Sequence, residues 1–179
     1  TESTNKEQRT LVCGFRTENL DLFDLRYSSM VFNYILGGST ESNLFRTVRE
    51  DNSLCYYITS MIQPLLNVGL IRSGINACDY DKVISLIHQE LENMKKGKFN
   101  DDKIENAKTI YINGLQELED SEDSIISLYE GIEYLNADSV KTRIKNINKV
   151  TKEDVIRVAN KIHLNVIYLL EGTGQDEER

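Results

Sequence analysis

Hydrophobic and polar positions repeat with two different periods along the chain, and the period separates strands from helices. Gln8–Thr17 alternates apolar and other residues, which predicts a strand. Residues 54–63 and 65–76 are rich in β-branched and aromatic side chains and flank Pro64, the only proline. This arrangement predicts an antiparallel hairpin that turns at the proline. Residues 164–170 (LNVIYLL) predict a final strand.

Apolar residues at helical spacing predict helices in the remaining segments. Gly37-Gly38 is expected to end the first helix, because glycine adopts the left-handed conformation found at helix ends. Thr151 opens the last helix with a capping-box pattern, TKED. The predicted helices span residues 21–36, from 40 or 42 to about 50, 80–96, 101–118, 121–136, 138–146 and a segment beginning at 151.

The predicted order is strand, helix, helix, strand, strand, helices, strand. This order is typical of an α+β domain, with helices packed on one face of a mainly antiparallel sheet. The 179 residues fit one domain, residues 1–179, with polar ends expected to fray at about 1–7 and 172–179. Because the chain starts at Thr1 rather than at a methionine, we expect it to be part of a longer polypeptide.

Composition excludes several classes of function. The net charge of -8 opposes binding to nucleic acid, which carries dense negative charge. No apolar run reaches the roughly 20 residues of a membrane span. Cys13, Cys55 and Cys78 form no CxxC pair, so we expect reduced, buried thiols in a cytoplasmic protein.

The sequence offers few catalytic groups. His88 and Glu92 share a helix face, but zinc needs three or four ligands and His163 has no evident partner. The chain contains neither His-Glu-x-x-His nor its inverted form, and no G-x-S-x-G. Gly37-Gly38-Ser39-Thr40 lacks the Lys-Ser/Thr ending of a phosphate-binding loop. No cofactor is therefore expected in this chain.

Arg49 and Tyr56 are the remaining candidates. Phe45 lies one helical turn before Arg49, so its ring can support the guanidinium. An arginine that grips a carbonyl or carboxylate and a phenol that donates to an oxyanion form an electrophilic pair. The alternative is structural: Arg49 pairs with Glu50 or Asp51, and Tyr56 packs in the core.

One segment, LGGSTESNLFRTVREDNSLCYYI (residues 36–58), resembles the second domain of the pitrilysin/insulinase family of zinc peptidases, which includes the mitochondrial processing peptidases. The matching parts are Leu-Gly-Gly, Asn-Leu-Phe, Arg-Glu and Leu-Cys-Tyr, in this order. VTKEDVIRVANKI (residues 150–162) resembles the family's helix before its last strand. The segment departs at Asn52-Ser53, where a glycine often occurs, but the assignment of Tyr56 stands.

The resemblance implies a clamshell enzyme built from homologous α+β domains. One half holds zinc through an inverted His-x-x-Glu-His and a distal Glu, and the other half supplies an Arg and a Tyr. Arg49 and Tyr56 match that pair by position, and Phe45 matches an aromatic residue of the substrate cleft.

This chain is thus expected to be the half without metal in a zinc metallopeptidase. Its expected partners are a peptide substrate and a zinc-bearing domain or subunit, joined as a dimer of halves or a heterodimer, with no nucleic acid and no membrane. Two alternatives remain: an inactive family member that serves as a binding or assembly partner, and an unrelated α+β domain.

Overall fold

The computed structural model describes residues 8–118 and 122–170. The expected fraying at 1–7 and 172–179 lies outside these residues. No helix within the described ranges combines the length and the apolar content needed to cross a bilayer.

The described residues form a four-stranded antiparallel sheet in the order β2-β3-β1-β4. The strands are β1 (Gln8–Thr17), β2 (Cys55–Gln63), β3 (Val68–Asn76) and β4 (Ile162–Leu170). Strands β2 and β3 form the predicted hairpin. The predicted α+β class and the predicted order of elements are confirmed.

Helices cover one face of the sheet. The helices are α1 (Ser29–Leu36), α2 (Tyr80–Lys95), α3 (Asp101–Glu117), α4 (Glu122–Leu135), α5 (Val140–Ile147) and α6 (Lys152–Asn160). Leu11, Cys13 and Phe15 of β1 are buried beneath them, whereas Val166 and Tyr168 of β4 are exposed. Within β1, Val12 is only half-buried and Arg16 is exposed, as the alternation of side chains along a strand requires.

Several boundaries differ from the prediction. Strand β4 begins at Ile162 rather than at 164, and α5 begins at Val140 rather than at 138. The strand expected from residue 65 begins at Val68, because Pro64–Leu66 forms a 3-10 turn and Asn67 is left-handed, with φ 54°. The helix expected at 21–36 starts with a π-helical turn, Asp24–Ser28, before α1. The predicted capping box of α6 is present, with Thr151 and Asp154 exchanging hydrogen bonds.

The expectation of three buried thiols was wrong for two of them. Cys13 is buried, and burial raises the pKa of its thiol to about 11. Cys55 is half-buried and Cys78 is exposed. Cys78 lies in a short 3-10 turn, Ala77–Asp79, outside the alternating pattern of a strand.

An ion pair with a buried carboxylate joins two elements that are distant in sequence. Asp24 is fully buried, and the Nε and Nη2 atoms of Arg157 donate to its two carboxylate oxygens at 2.9 and 2.7 Å. Arg157 also pairs with Asp154 at 2.7 Å. These contacts raise the pKa of Arg157 above its ordinary value, with Asp24 as the main cause. Helix α6 is thereby fixed to the π-helical turn before α1.

A second cluster connects that turn to the loop before α5. Arg26 donates to Asp138 at 2.9 Å and to the carbonyl of Asn136 at 2.7 Å, and the hydroxyl of Tyr27 also donates to Asp138. The Tyr27 hydrogen bond is the main cause that lowers the pKa of Asp138, and Arg26 acts in the same direction.

Asp138 should therefore make the stability of the fold sensitive to acid. Because its pKa is lower in the folded than in the unfolded state, the stabilisation is complete above its ordinary pKa. It is lost as pH falls through the ordinary pKa of 3.8 towards the lower pKa of the folded state. Urea unfolding of wild type and Asp138→Asn across this range should give a difference in midpoint that shrinks with falling pH. A constant difference would contradict this role of the carboxylate.

Candidate functional site

The segment that carries Phe45 and Arg49 is a π-helical stretch, Phe45–Glu50. The backbone nitrogen of Asp51 donates to the carbonyl of Arg46 at 2.8 Å, a spacing of five residues. The hydroxyl of Ser42 accepts a hydrogen bond from the nitrogen of Phe45 at 3.4 Å, just before the helical turn that leads into this stretch. Short π-helical segments frequently occur at functional sites.

Arg49 lies over an aromatic ring. Its guanidinium carbon is 4.8 Å from the ring centroid of Phe45, which is the contact expected from their spacing. Among the described residues, Arg49 makes no ion pair with Glu50 or Asp51; Arg46 lies 3.9 Å from Asp51 instead. Arg49 is exposed, and no described side chain accepts a hydrogen bond from its guanidinium.

Tyr56 lies at a β-bulge at the start of β2. Cys55 pairs with Ile75 and Tyr57 pairs with Gly74, so Tyr56 has no partner on β3. A bulge redirects a side chain, and Tyr56 is 72% exposed rather than packed in the core. It borders a surface pocket of about 310 Å³ at this end of the hairpin.

Arg49 and Tyr56 lie in the same region of the molecule, because the nitrogen of Ser53 donates to the carbonyl of Arg49 at 3.1 Å and closes the turn before β2. Cys55 directly precedes Tyr56, and the positive charge of Arg49 acts on its thiol. Burial raises the pKa of Cys55, while a hydrogen bond with Ser73 and the charge of Arg49 oppose this effect. The structure thus brings the end of the π-helical stretch to the start of β2.

The turn between them retains the backbone that a glycine would favour. Ser53 has φ 52°, in the left-handed region, at the position where the sequence departs from the pitrilysin pattern. The side-chain amide of Asn52 donates to the carbonyl of Thr47 at 2.7 Å and closes the turn. The substitution therefore leaves the path of the backbone into β2 intact.

Polar contacts that sequence patterns did not predict hold the π-helical stretch and the residues before it. Thr47 donates to Glu90 of α2 at 3.3 Å, and Glu90 is buried. The ammonium group of Lys103 on α3 donates to the side-chain oxygen of Asn43 at 2.5 Å. Burial is the main cause that lowers the pKa of Lys103, and the positive charge of Arg46 acts in the same direction. One signal was available, because Glu90 lies on the apolar stripe of α2, where a carboxylate needs a partner.

Gly37 has a different role from the one expected. Its φ of -161° is extended rather than left-handed, so conformational freedom is not what requires glycine here. Its carbonyl accepts a hydrogen bond from the nitrogen of Ser60 on β2 at 2.9 Å. A Cβ at Gly37 would lie 2.8 Å from the Ser60 hydroxyl and 2.9 Å from its nitrogen. The glycine lets the end of α1 approach β2.

Gly37→Ala should therefore destabilise the protein by about 1–3 kcal/mol, the usual cost of overpacking. Gly114→Ala is the matched control, because a Cβ at this helical position meets nothing within 4 Å. The control should be neutral or stabilising by up to about 1 kcal/mol. Urea unfolding of the full-length variants measures both effects. Wild-type stability of Gly37→Ala would exclude the close approach to Ser60.

The candidate metal ligands do not converge. The side chain of Glu92 forms an ion pair with Lys95 at 2.8 Å, and this contact is the main cause that lowers its pKa. His163 lies 3.9 Å from Glu18 at the surface. Within residues 8–118 and 122–170, no group of three His, Cys, Asp or Glu side chains is arranged to hold a metal ion.

Known proteins resemble this chain along nearly its whole length. Residues 1–111 match the family described as "Peptidase M16 inactive domain". The Bacillus subtilis (strain 168) protein "Probable inactive metalloprotease YmfF" is 32% identical over 169 residues, covering 93% of this chain and 39% of that protein. "Uncharacterized zinc protease YmxG" from the same organism is 32% identical over 111 residues, covering 60% of this chain and 27% of that protein.

A solved structure shows the same fold. The crystal structure of a conserved protein from Enterococcus faecalis V583 has a TM-score of 0.84 and 28% identity, covering 95% of this chain and 40% of that one. This chain thus spans about two fifths of the length of YmfF and of the E. faecalis protein. The family match, the relatives and the fold agree, and the chain belongs to the peptidase M16 family of pitrilysin/insulinase-type zinc peptidases, as one of its inactive domains.

Proposed function

We propose that this chain is the non-catalytic half of a zinc-dependent metallopeptidase. Another domain or subunit holds the zinc, and the two halves enclose a peptide substrate as a dimer of halves or a heterodimer. The observation that supports this proposal is the exposure of Arg49 and Tyr56 and their lack of side-chain partners among the described residues. Both side chains are exposed, one on each side of the turn that joins the π-helical stretch to β2, and neither has an ion pair or hydrogen bond with another described side chain.

Arg49 is proposed to bind the substrate backbone. Its guanidinium carries a permanent positive charge and several donors in a fixed plane, which suits a peptide carbonyl or a carboxylate. Phe45 supports the guanidinium from one side and leaves the outer donors accessible. Loss of Arg49 should therefore weaken substrate binding.

Tyr56 is proposed to act on the carbonyl that is cleaved. When water adds to this carbonyl, negative charge develops on its oxygen, and the phenol donates a hydrogen bond to that oxygen. The described residues provide no zinc site, so the metal's own chemistry is assigned to the other half. The isolated chain should hold no stoichiometric zinc and cleave no peptide.

A second candidate is an inactive M16 protein that serves as a binding or assembly partner. The relative named "Probable inactive metalloprotease YmfF" favours it, since it is similar over 93% of this chain. In that case Arg49 and Tyr56 would have no catalytic role. The presence of His-x-x-Glu-His in the rest of the polypeptide or in a copurifying subunit separates the two candidates.

The experiment uses the full-length protein, purified from its host together with any accompanying subunit. Cleavage of a mixed peptide library should occur, stop with a zinc chelator and return when zinc is added. Separation of the host cells into cytoplasmic and other fractions should place the protein in the cytoplasm. If no peptide is cleaved at any zinc concentration, the inactive-partner function takes its place.

A further inference from the structure

A cavity of about 230 Å³ lies far from Arg49 and Tyr56. Its walls come from the π-helical turn before α1, from α1 itself, from α3, and from α5 with the loop before it. Pro64, which follows the last residue of β2, is part of the wall, whereas Tyr56 lies near the start of that strand. Eight residues of extended chain correspond to roughly 26 Å, so the cavity is separate from the candidate site.

Most of the lining is apolar. A cavity of about 150 Å³ with apolar walls is known to hold benzene, so this volume suits an aliphatic chain or one large apolar side chain with a small polar group. The apolar lining residues are Leu22, Leu25, Met30, Pro64 and Ala137.

Charged groups lie within the same lining. Arg26, Arg143 and Asp138 are the charged residues of the lining, which gives it a net charge of +1 within a chain of net charge -8. The carboxylate of Asp138 already accepts hydrogen bonds from Arg26 and from the hydroxyl of Tyr27. Its negative charge is therefore compensated by groups of the protein.

Arg143 keeps unused donors. Its Nε donates to the backbone carbonyl of Asp138 at 2.7 Å, which fixes the position of the guanidinium. Its two terminal nitrogens have no hydrogen-bond or ion-pair partner among the described residues. A guanidinium with two free terminal nitrogens is suited to binding a carboxylate in a bidentate manner.

We propose that this cavity binds a small apolar molecule that ends in a carboxylate. The apolar part lies against Leu25 and Met30, and the carboxylate accepts hydrogen bonds from Arg143. This chemistry has two sources: the free C-terminal residue of a peptide with an apolar side chain, or a fatty acid. Such binding requires no peptide hydrolysis and does not depend on the proposed function.

The test measures binding to the full-length protein by isothermal titration calorimetry. N-acetyl-L-leucine represents the peptide C-terminus and octanoate represents the fatty acid, while N-acetyl-L-leucinamide lacks the charge. At least one of the two acids should bind saturably at one site. If N-acetyl-L-leucine binds, N-acetyl-L-leucinamide should bind at least about tenfold more weakly, because it lacks the carboxylate. The acid that binds more tightly identifies the source of the ligand.

Three variants locate the site. Arg143→Gln should weaken binding of the acid by at least about tenfold, and Ala137→Phe should abolish it by filling the cavity. Arg46→Gln makes the same chemical change at an exposed arginine outside the cavity and should bind like wild type. Circular dichroism verifies the fold, and if Arg143→Gln does not fold, Ala137→Phe decides. Any of three results would overturn the proposal. Neither acid binds saturably, N-acetyl-L-leucine binds no more tightly than N-acetyl-L-leucinamide, or folded Ala137→Phe binds like wild type.

Discussion

Replacing Tyr56 by phenylalanine should lower peptide turnover by about 100-fold in the full-length enzyme. The change removes one hydroxyl and leaves the ring. Because Tyr56 is 72% exposed and its hydroxyl has no partner among the described residues, the fold should not depend on it. A donor that acts on the developing oxyanion affects kcat more than KM, since its contact strengthens in the transition state.

Steady-state assays with one defined peptide should therefore show the loss in kcat, with zinc content and unfolding midpoint unchanged. Tyr57→Phe is the matched control, because it removes a hydroxyl from the next residue, whose ring packs over Gly74. Its kcat should remain within about twofold of wild type, as for substitutions away from the reacting atoms. If the wild-type enzyme is active and Tyr56→Phe has the same kcat as Tyr57→Phe, the catalytic assignment of Tyr56 fails.

Replacing Arg157 by methionine should destabilise the protein by about 3 kcal/mol. The change leaves the carboxylate of Asp24 buried without its partner, which usually costs about 3–5 kcal/mol. We expect the lower end of this range of free energies because the side chain of Arg157 is itself 40% exposed, so water already screens part of the ion pair. Urea unfolding of full-length protein at neutral pH measures the effect.

Two comparisons show whether the buried charge is the cause. Arg46→Gln removes an exposed pair, with side chains 65% and 59% exposed, and should cost no more than about 1 kcal/mol. The double variant Arg157→Met/Asp24→Asn should recover part of the lost stability, because no uncompensated charge remains. If the double variant is no more stable than Arg157→Met, lost packing of the Arg157 side chain explains the effect instead.

Local patterns were sufficient for most of the secondary structure. Alternation of Leu11, Cys13 and Phe15 identified β1, and the polar pair Thr151 and Asp154 identified the start of α6. These signals lie within a few residues, and hydrogen bonds or side-chain alternation over that distance determine them. The beginning of β3 was missed by three residues because the 3-10 turn after Pro64 depends on the geometry of the whole hairpin.

The candidate site was identified in part. Spacing alone predicted the contact of Phe45 with Arg49, because both lie on one short helical segment. Spacing did not choose between an exposed and a buried Tyr56, since this depends on the bulge in the pairing of β2 with β3. The Glu90 contact that anchors the segment comes from a residue more than 40 positions away.

The sequence by itself determined the fold class, the order of the elements and the family. Each of these depends on periodicity or on motifs within a short stretch of chain. Only the tertiary structure decided that Asp24 pairs with Arg157, that Gly37 contacts Ser60 and that Arg143 borders an apolar cavity. These contacts join residues distant in sequence, and their positions depend on how helices and sheet pack together, which local patterns do not encode.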